Sequence, residues 1–485
     1  DKAVLLTFDD GYESFYTRVF PVLQARQIPA VIAVIGTWMR RAEKPDVPGD
    51  KPVLTWPQVR EMAASGLVEV ASHTDTMHNE VDADPQGETH AAVTTRAYLD
   101  RGGRYETDRE YAARLDAGMQ RSADFVTAAT GHRPRVLVWP LGEYNGFPVA
   151  AARRAGMPIT LALSDGVNNA RADLSVVNRL LVTDDPEVPA FAAMVTSLRA
   201  ERPQRAIRVN LDTVWNAVPA IAARNEARML RQVQASGASA VYLQAYADRG
   251  GTAAAVYFPN RHLPVRADVL GATAERVKEA TGAKVYALMP ARVIDAPPAT
   301  AARWAGDIYE DLAKYVPIDG LVLSHEALRY PAPPSNAPAL NLVDASAALT
   351  ARMRVYRPFI KTAVDIDEPP VRPRPAAPGF DRMLVRYLHH YDYVVIDALA
   401  RRNGPAQLGR FVGETERRVG SVNRIVFGLG TTESRPRPAA PPALLRTEVA
   451  AILRSGARNI ELQPGTANRR QMAGIGKTFG ATAIE

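Results

Sequence analysis

The sequence predicts an α/β protein built from two (β/α) barrel domains in tandem, and three observations predict it. At 485 residues the chain is long for one hydrophobic core, which makes two domains the expectation. Short apolar runs alternate with amphipathic stretches from residue 3 to about 185, a rhythm that implies parallel strands covered by helices. After a charged, Pro-bearing segment the alternation restarts, with about eight strands over roughly 280 residues, the size and rhythm of a (β/α)8 barrel.

The first domain opens with strand AVLLTF (3–8) and a helix over 13–27 whose Phe15, Val19, Phe20 and Leu23 share one face. Strand AVIAVIG (30–36) follows, then helix TWPQVREMAASG (55–66), with Thr55 as N-cap and Pro57 in the first turn. Strand LVEVAS (67–72) leads into a long polar loop (73–107), a helix near 108–130, and strands VLVW (136–139) and PITLAL (158–163). The linker is expected in SLRAERPQRAIRVN (197–210), which sets domains of 1–203 and 204–485. Beyond it come a helix near 218–236 and strands at 239–246, 284–290, 319–324, 359–364, 391–398, 423–430 and 459–465. Three Pro-rich stretches between these elements read as loops.

Composition narrows the function. With 47% apolar and 23% charged residues the chain is an ordinary globular protein. No apolar run approaches the roughly 18 residues that span a bilayer, so no transmembrane segment is expected. Zero cysteines exclude disulfides, thiolate metal sites and thiol nucleophiles. The net charge of +7 raises the question of nucleic acid, but the Arg residues are scattered in pairs rather than clustered along one helix, and no nucleic-acid partner is expected. GIGKT (474–478) is no phosphate loop, because Gln471 stands where its first Gly is needed.

The chemistry begins at TFDDG (7–11), where two adjacent carboxylates sit at the end of a strand. Like charges that close need a positive neighbour, or one must hold a proton. SHTDTMH places His73 and His78 at the end of a strand parallel to the first, at the edge where such folds build active sites. One carboxylate and two imidazoles make a common ligand set for a catalytic divalent metal. A metal on Asp10 would offset the crowding and leave Asp9 as a general base. Read alone, an Asp-Asp pair after a strand is most often a turn or a helix cap, and a histidine pair is most often idle. Taken together, each at a strand end, the two leave a site and a structural reading evenly matched.

The segments TFDDGYESFYTRVFPVLQ, VEVASHTDTMH, ADPQGE, RGGRYETD, VWPLGEYNG and GMPITLALSDG resemble the polysaccharide deacetylases of the NodB type. They resemble specifically the poly-β-1,6-N-acetyl-D-glucosamine N-deacetylases of bacterial biofilm export systems. In the second half VNLDTVW, SAVYLQAYAD, VYFPNRHLPVRADVL, AKVYALMP and IYEDLAKYVPIDGLVL resemble the C-terminal glycoside-hydrolase-like barrel of that family. The resemblance implies a distorted NodB-like (β/α) barrel followed by a (β/α)8 barrel. It implies Asp9 as general base, Asp10, His73 and His78 as ligands of one divalent ion (zinc, nickel or cobalt), and the backbone N–H of Leu141 as part of an oxyanion hole. Trp139 is expected either to line the sugar site or to pack in the core, and Tyr144 to line the sugar site. It further implies the β-1,6-linked N-acetylglucosamine polymer as substrate, an outer-membrane export porin as partner, and a periplasmic location with a lipid anchor on the full-length precursor. One departure from NodB deacetylases matters: TLALSDG lacks the histidine of their last motif, which leaves the general acid unassigned between Asp165 and a metal-bound water.

The same resemblance makes the second barrel a site for de-N-acetylated polymer, with hydrolysis as a further option. Carboxylates at its strand ends are Asp212, Asp248, Asp319 and Glu326, of which Glu326, in LSHEA, is the one left where the family carries an acidic pair. Asp248 and Asp212 are expected to meet the cationic glucosamine, and Tyr242, Tyr246 and Tyr257 offer stacking faces. Two other readings stay open: an export module that only binds carbohydrate, and a deacetylase of chitin or peptidoglycan.

Overall fold

Of the apolar run 3–8, Leu6–Phe8 forms β1, and Val4 and Leu5 ahead of it are exposed. The computed structural model describes residues 4–40, 51–163, 168, 173–182, 185–196, 203–248, 253–290, 298–324, 340–366, 378–397, 404–429, 442–463 and 476. They divide into two units, Asp1–Ala200 and Glu201–Glu485.

In the first unit the helix after β1 starts as a π-helical turn, Phe15–Val19, and continues as α1, Phe20–Arg26. β2 (Ala30–Val34) is buried along its whole length, as a central parallel strand covered on both faces must be. The five-residue α2 (Gly36–Arg40) and α3 (Trp56–Ala64) precede β3 (Val68–Ser72). Thr55 caps α3 in a box with Gln58, whose Oε1 accepts the Thr55 N–H at 2.7 Å. The stretch 73–107, expected to be a polar loop, carries two small hairpins, β4 (Glu80–Asp82) with β5 (Thr89–Ala91) and β6 (Tyr98–Leu99) with β7 (Arg104–Tyr105). Strands of two or three residues leave too short an alternation to read from sequence. α4 (Asp108–Thr130) has Thr107 and Glu110 as a capping box and ends on left-handed Gly131. Its face Tyr111, Leu115, Met119 and Ala123 packs into a core with Leu137 and Trp139. β8 (Val136–Val138), α5 (Gly146–Arg154), β9 (Ile159–Ala162), the unforeseen two-residue β10 (Val177–Asn178) and α6 (Val188–Thr196) complete the unit.

The six strands run parallel in the order β1-β2-β3-β8-β9-β10. No ladder joins β10 to β1 among the described residues. Instead Arg179, the residue after β10, reaches Thr7 Oγ1 on β1 at 3.1 Å, so the sheet curls into a barrel left open at one seam.

The second unit is a closed barrel of eight parallel strands. β11 (Arg205–Asn210), α7 (Pro219–Ser236) and β12 (Ala240–Gln244) lead into the hairpin β13 (Tyr246–Asp248) and β14 (Ala253–Val256). α8 (Leu270–Thr281), β15 (Lys284–Pro290), α9 (Pro298–Tyr315), β16 (Gly320–Ser324), α10 (Leu340–Arg354) and β17 (Lys361–Ile366) follow. α11 (Pro378–His390), β18 (Tyr393–Asp397), α12 (Pro405–Val419), β19 (Ile425–Leu429), α13 (Pro442–Arg454) and β20 (Asn459–Leu462) complete it. β11 pairs with β20 to close the ring, with Ala206 opposite Glu461. The segment expected to be linker therefore contains the first barrel strand: RAIRVN alternates charged and apolar residues, but its neighbours exist only once the ring closes. Inside, Ala240, Tyr242, Tyr286, Val322, Ala363 and Val426 fill the core. Gly320 lies opposite Tyr286, and a Cβ on it would stand 2.0 Å from the ring.

Candidate active site

Four strand ends along one edge of the first sheet supply the site. After β1 the chain passes through two left-handed residues, Asp10 (φ 73°) and Gly11 (φ 79°). Asp tolerates that conformation better than most residues, and glycine without strain. Gly11 also needs to be small, since a Cβ there would stand 3.2 Å from Val34 Cγ1 on β2. This turn sends the two carboxylates in different directions.

Asp10 faces the loop after β3. Its Oδ1 lies 3.4 Å from His73 Nε2 and 3.4 Å from His78 Nε2, and the three donor atoms lie within 4.8 Å of one another. The His73 Nδ1–H donates to the carbonyl of Val138 at the end of β8 (2.8 Å), which fixes the ring orientation and turns Nε2 toward Asp10. His78 packs at 5.4 Å against Trp38 and 4.9 Å from the His73 ring. Burial pushes the Asp10 carboxyl up, but the facing His73 and His78 imidazoles outweigh it and hold Asp10 well below the usual carboxylate range. The donor set fits a divalent cation. Two ligand atoms each about 2.1 Å from an ion and at a tetrahedral angle lie about 3.4 Å apart, the separation found here on both sides of Asp10.

Asp9 stands outside this set. Arg179 clamps it with both arms of its guanidinium, Nη1 to Oδ1 at 2.7 Å and Nη2 to Oδ2 at 2.9 Å. The Arg179 side chain is 9% exposed. Sequence reasoning passed over this residue: it stands 170 positions from Asp9, in a segment with no local motif. The crowding of the two carboxylates is thus answered by separate partners, the Arg179 guanidinium for Asp9 and the two imidazoles for Asp10.

After β8, Pro140–Gly142 makes a single 3-10 turn in which Leu141 takes a left-handed φ of 56° and is 54% exposed. Pro140 has no N–H, so the Leu141 N–H is the first of the turn, and the first N–H groups of a helix have no partner within it. Gly142 is held tight behind it, with φ 72° and Leu163 where a Cβ would go.

Two expectations for this site are corrected. Trp139 does not line a sugar site: it is fully buried, and its Nε1–H donates to Thr160 Oγ1 at 2.9 Å. Tyr144 stacks on Trp139 at 6.2 Å, is 8% exposed, and has its hydroxyl pushed up by burial. Both belong to the core beneath α4 and α5, because an indole and a phenol bury more apolar area there than on the rim. Asp165 and Glu326 lie outside the described residues.

In the second barrel, Asp212 is engaged within the protein rather than presented to a ligand. It accepts hydrogen bonds from Tyr257 Oη (2.5 Å), Arg266 Nη1 (3.0 Å) and the Asp248 backbone N–H (3.1 Å). Arg266 in turn lies 4.9 Å over Trp215. Asp212 therefore anchors the β13–β14 hairpin, and Asp248 at the end of β13 is the exposed carboxylate of the pair. Tyr242 and Tyr257 are fully buried and Tyr246 is 6% exposed, so none offers a stacking face. Asp319 precedes β16 and caps the opposite end of the barrel, where it accepts the Val285 N–H at 2.8 Å. That is the end from which barrel chemistry is absent.

Comparison with known proteins adds family to geometry. A family model described as polysaccharide deacetylase matches residues 1–160, and one described as hypothetical glycosyl hydrolase family 13 matches residues 208–306. The chain is 32% identical over 482 residues to the poly-beta-1,6-N-acetyl-D-glucosamine N-deacetylase of Escherichia coli K12, covering 84% of this chain and 71% of that protein. It is 20% identical over 184 residues to the enzyme of the same name from Staphylococcus aureus, covering 38% of this chain and 56% of that one. Among solved structures, the deacetylase domain of BpsB from Bordetella bronchiseptica is 42% identical over 37% of this chain and 70% of that one, with a TM-score of 0.35.

Proposed function

The chain belongs to the poly-β-1,6-N-acetyl-D-glucosamine N-deacetylase family, and from that premise we propose that its first unit hydrolyses the acetamide groups of a β-1,6-linked N-acetylglucosamine polymer with a divalent metal. The observation that carries the metal-dependent reading is the spacing of Asp10, His73 and His78 at the strand ends. These three residues would hold the ion, with His73 oriented through Val138. A bound divalent ion supplies Lewis-acid polarisation of the acetamide carbonyl and acidifies the attacking water.

The chain's own groups do the rest. Asp9, both oxygens fixed by Arg179 and each keeping a lone pair, takes the proton of the attacking water. The oxyanion that forms as the C–O bond is made accepts from the Leu141 N–H, presented by the strained 3-10 turn. The C–N bond then breaks as the nitrogen takes up a proton, the equivalent of the one Asp9 removed from the water, and the nitrogen leaves as the free amine while the acetyl carbon departs as acetate. The second barrel is proposed to hold the polymer, with the exposed Asp248 set against the ammonium groups that deacetylation creates. The same reading locates the protein in the periplasm beside an outer-membrane export porin; no described helix is long and apolar enough to cross a membrane.

The test strips the full chain of metal with a chelator and follows acetate release from the polymer. Activity is expected to vanish and to return with zinc, nickel or cobalt, and His78→Ala is expected to retain no metal. Undiminished acetate release from the chelated protein would overturn the reading.

A further inference from the structure

We propose that Asp75 is the anchor of the donor loop, a positioning residue that holds His73 and His78 at their working separation. The proposal rests on the metal-site reading above.

The loop from His73 to His78 cannot keep its shape by local preference. Thr74 stands at φ 67°, a left-handed conformation that β-branched residues avoid, and it is fully buried. Such a residue persists only where its surroundings over-determine it. Backbone contacts supply part of the restraint: Ser72 Oγ accepts the Thr74 N–H at 3.0 Å, and the Gly36 N–H donates to the Thr74 carbonyl at 3.1 Å. The rest converges on Asp75. Its carbonyl accepts from both the N–H (3.1 Å) and the Oγ1 (2.9 Å) of Thr37 on α2. Its carboxylate is buried with 1% side-chain exposure and meets side chains of both α2 and α4.

Two cations close on that carboxylate. Arg40 of α2 lies 2.5 Å from Oδ1, an ion pair rather than a directed hydrogen bond, and Arg121 of α4 lies 3.3 Å from Oδ2. Arg121 also reaches Thr76 Oγ1 at 3.3 Å, so one guanidinium grips two successive residues of the loop. Room for the carboxylate comes from Gly36: a Cβ there would stand 2.2 Å from Asp75 Oδ1. A buried anion held by helices on two sides fixes the loop midway between its two donors. The His73 and His78 Nε2 atoms then lie equally far from Asp10 before any ion arrives.

The test titrates cobalt(II) into the metal-free full chain, reading affinity by calorimetry and ligand geometry by the visible absorption of the bound ion, with the melting temperature of the metal-free protein as a separate measurement. Asp75→Asn keeps the shape and removes the charge. It is expected to weaken cobalt binding by about 10- to 100-fold, the usual cost of losing an outer-shell partner, and to shift the visible bands. Arg121→Gln, an exposed site whose loss leaves Arg40 in place, is expected to weaken binding in the same direction by less. Should Asp75→Asn not fold, Arg40→Gln and Arg121→Gln decide, and wild-type affinity in both overturns the proposal. Wild-type affinity and spectrum in folded Asp75→Asn overturn it directly while the metal-site reading stands. A wild-type chain that takes up no cobalt brings down that reading and the anchor with it.

Discussion

Asp9 and Asp10 are neighbours in the chain with opposite surroundings, and the contrast can be measured. Asp9→Asn leaves the donor set intact, so metal content is expected to stay at the wild-type level while acetate release falls by about 10²–10⁴-fold, the usual cost of losing a general base. Arg179→Gln is expected to keep the metal as well, and to lower kcat by about 10²-fold with KM little changed, since the base remains but its aim is lost. Asp10→Ala is expected to lose metal and activity together, because three protein ligands leave none to spare; elemental analysis beside the rate assay separates these outcomes. The Asp10, His73 and His78 cluster is legible in the sequence because each residue sits in a short segment, TFDDG or SHTDTMH, at the end of an apolar run. Arg179 is not, since only the curl of the sheet carries it across to β1. Trp139 and Tyr144 mislead for a related reason: an aromatic beside a site motif looks the same in sequence whether it faces a sugar or the helices behind the strand.

At the level of elements, the turn after β8 and the pairing of β15 with β16 each rest on one residue. Leu141 holds a conformation that costs an ordinary side chain roughly 1–2 kcal/mol, and the proposed chemistry uses its N–H alone. Leu141→Gly is expected to keep activity and to gain up to about 1 kcal/mol of stability, less the entropy that glycine brings to the unfolded chain. Leu141→Pro, which deletes the N–H and cannot take the left-handed φ, is expected to lose the turn and at least about 10²–10³-fold in kcat. In the barrel, Gly320→Ala is expected to cost about 1–3 kcal/mol by overpacking against Tyr286, read as a lower melting temperature of the second unit. Long elements with their own signals, such as α4 with Thr107 and Glu110, are readable in advance. The hairpins β4–β5 and β6–β7 and the strand β10 are too short to show a period, and β11 is masked by its charges until β20 arrives beside it.

For the whole molecule, every residue assigned to deacetylation lies in the first unit, which has its own cores. A fragment of residues 1–200 is therefore expected to fold and to release acetate from short oligomers at a rate close to that of the full chain. On long polymer it is expected to fall behind, because a second unit that holds the chain raises the local concentration of the next acetylated residue. Equal rates on short and long substrates, for fragment and full chain alike, would remove the second barrel from the reaction. The two-domain plan is legible from length and alternation alone, while the seam of the first barrel and the closure of the second depend on pairings that no local window contains.

That seam also gives the enzyme a birth order. Synthesis runs from the N-terminus. The last group that sets the proposed metal donors is residue 138, whose carbonyl holds His73, whereas the side chain that clamps Asp9 is residue 179. For about forty residues of synthesis the chain holds every part of the proposed donor set while Asp9 is still untethered. On that proposal the site is finished only when the residue after the final strand of the sheet is in place.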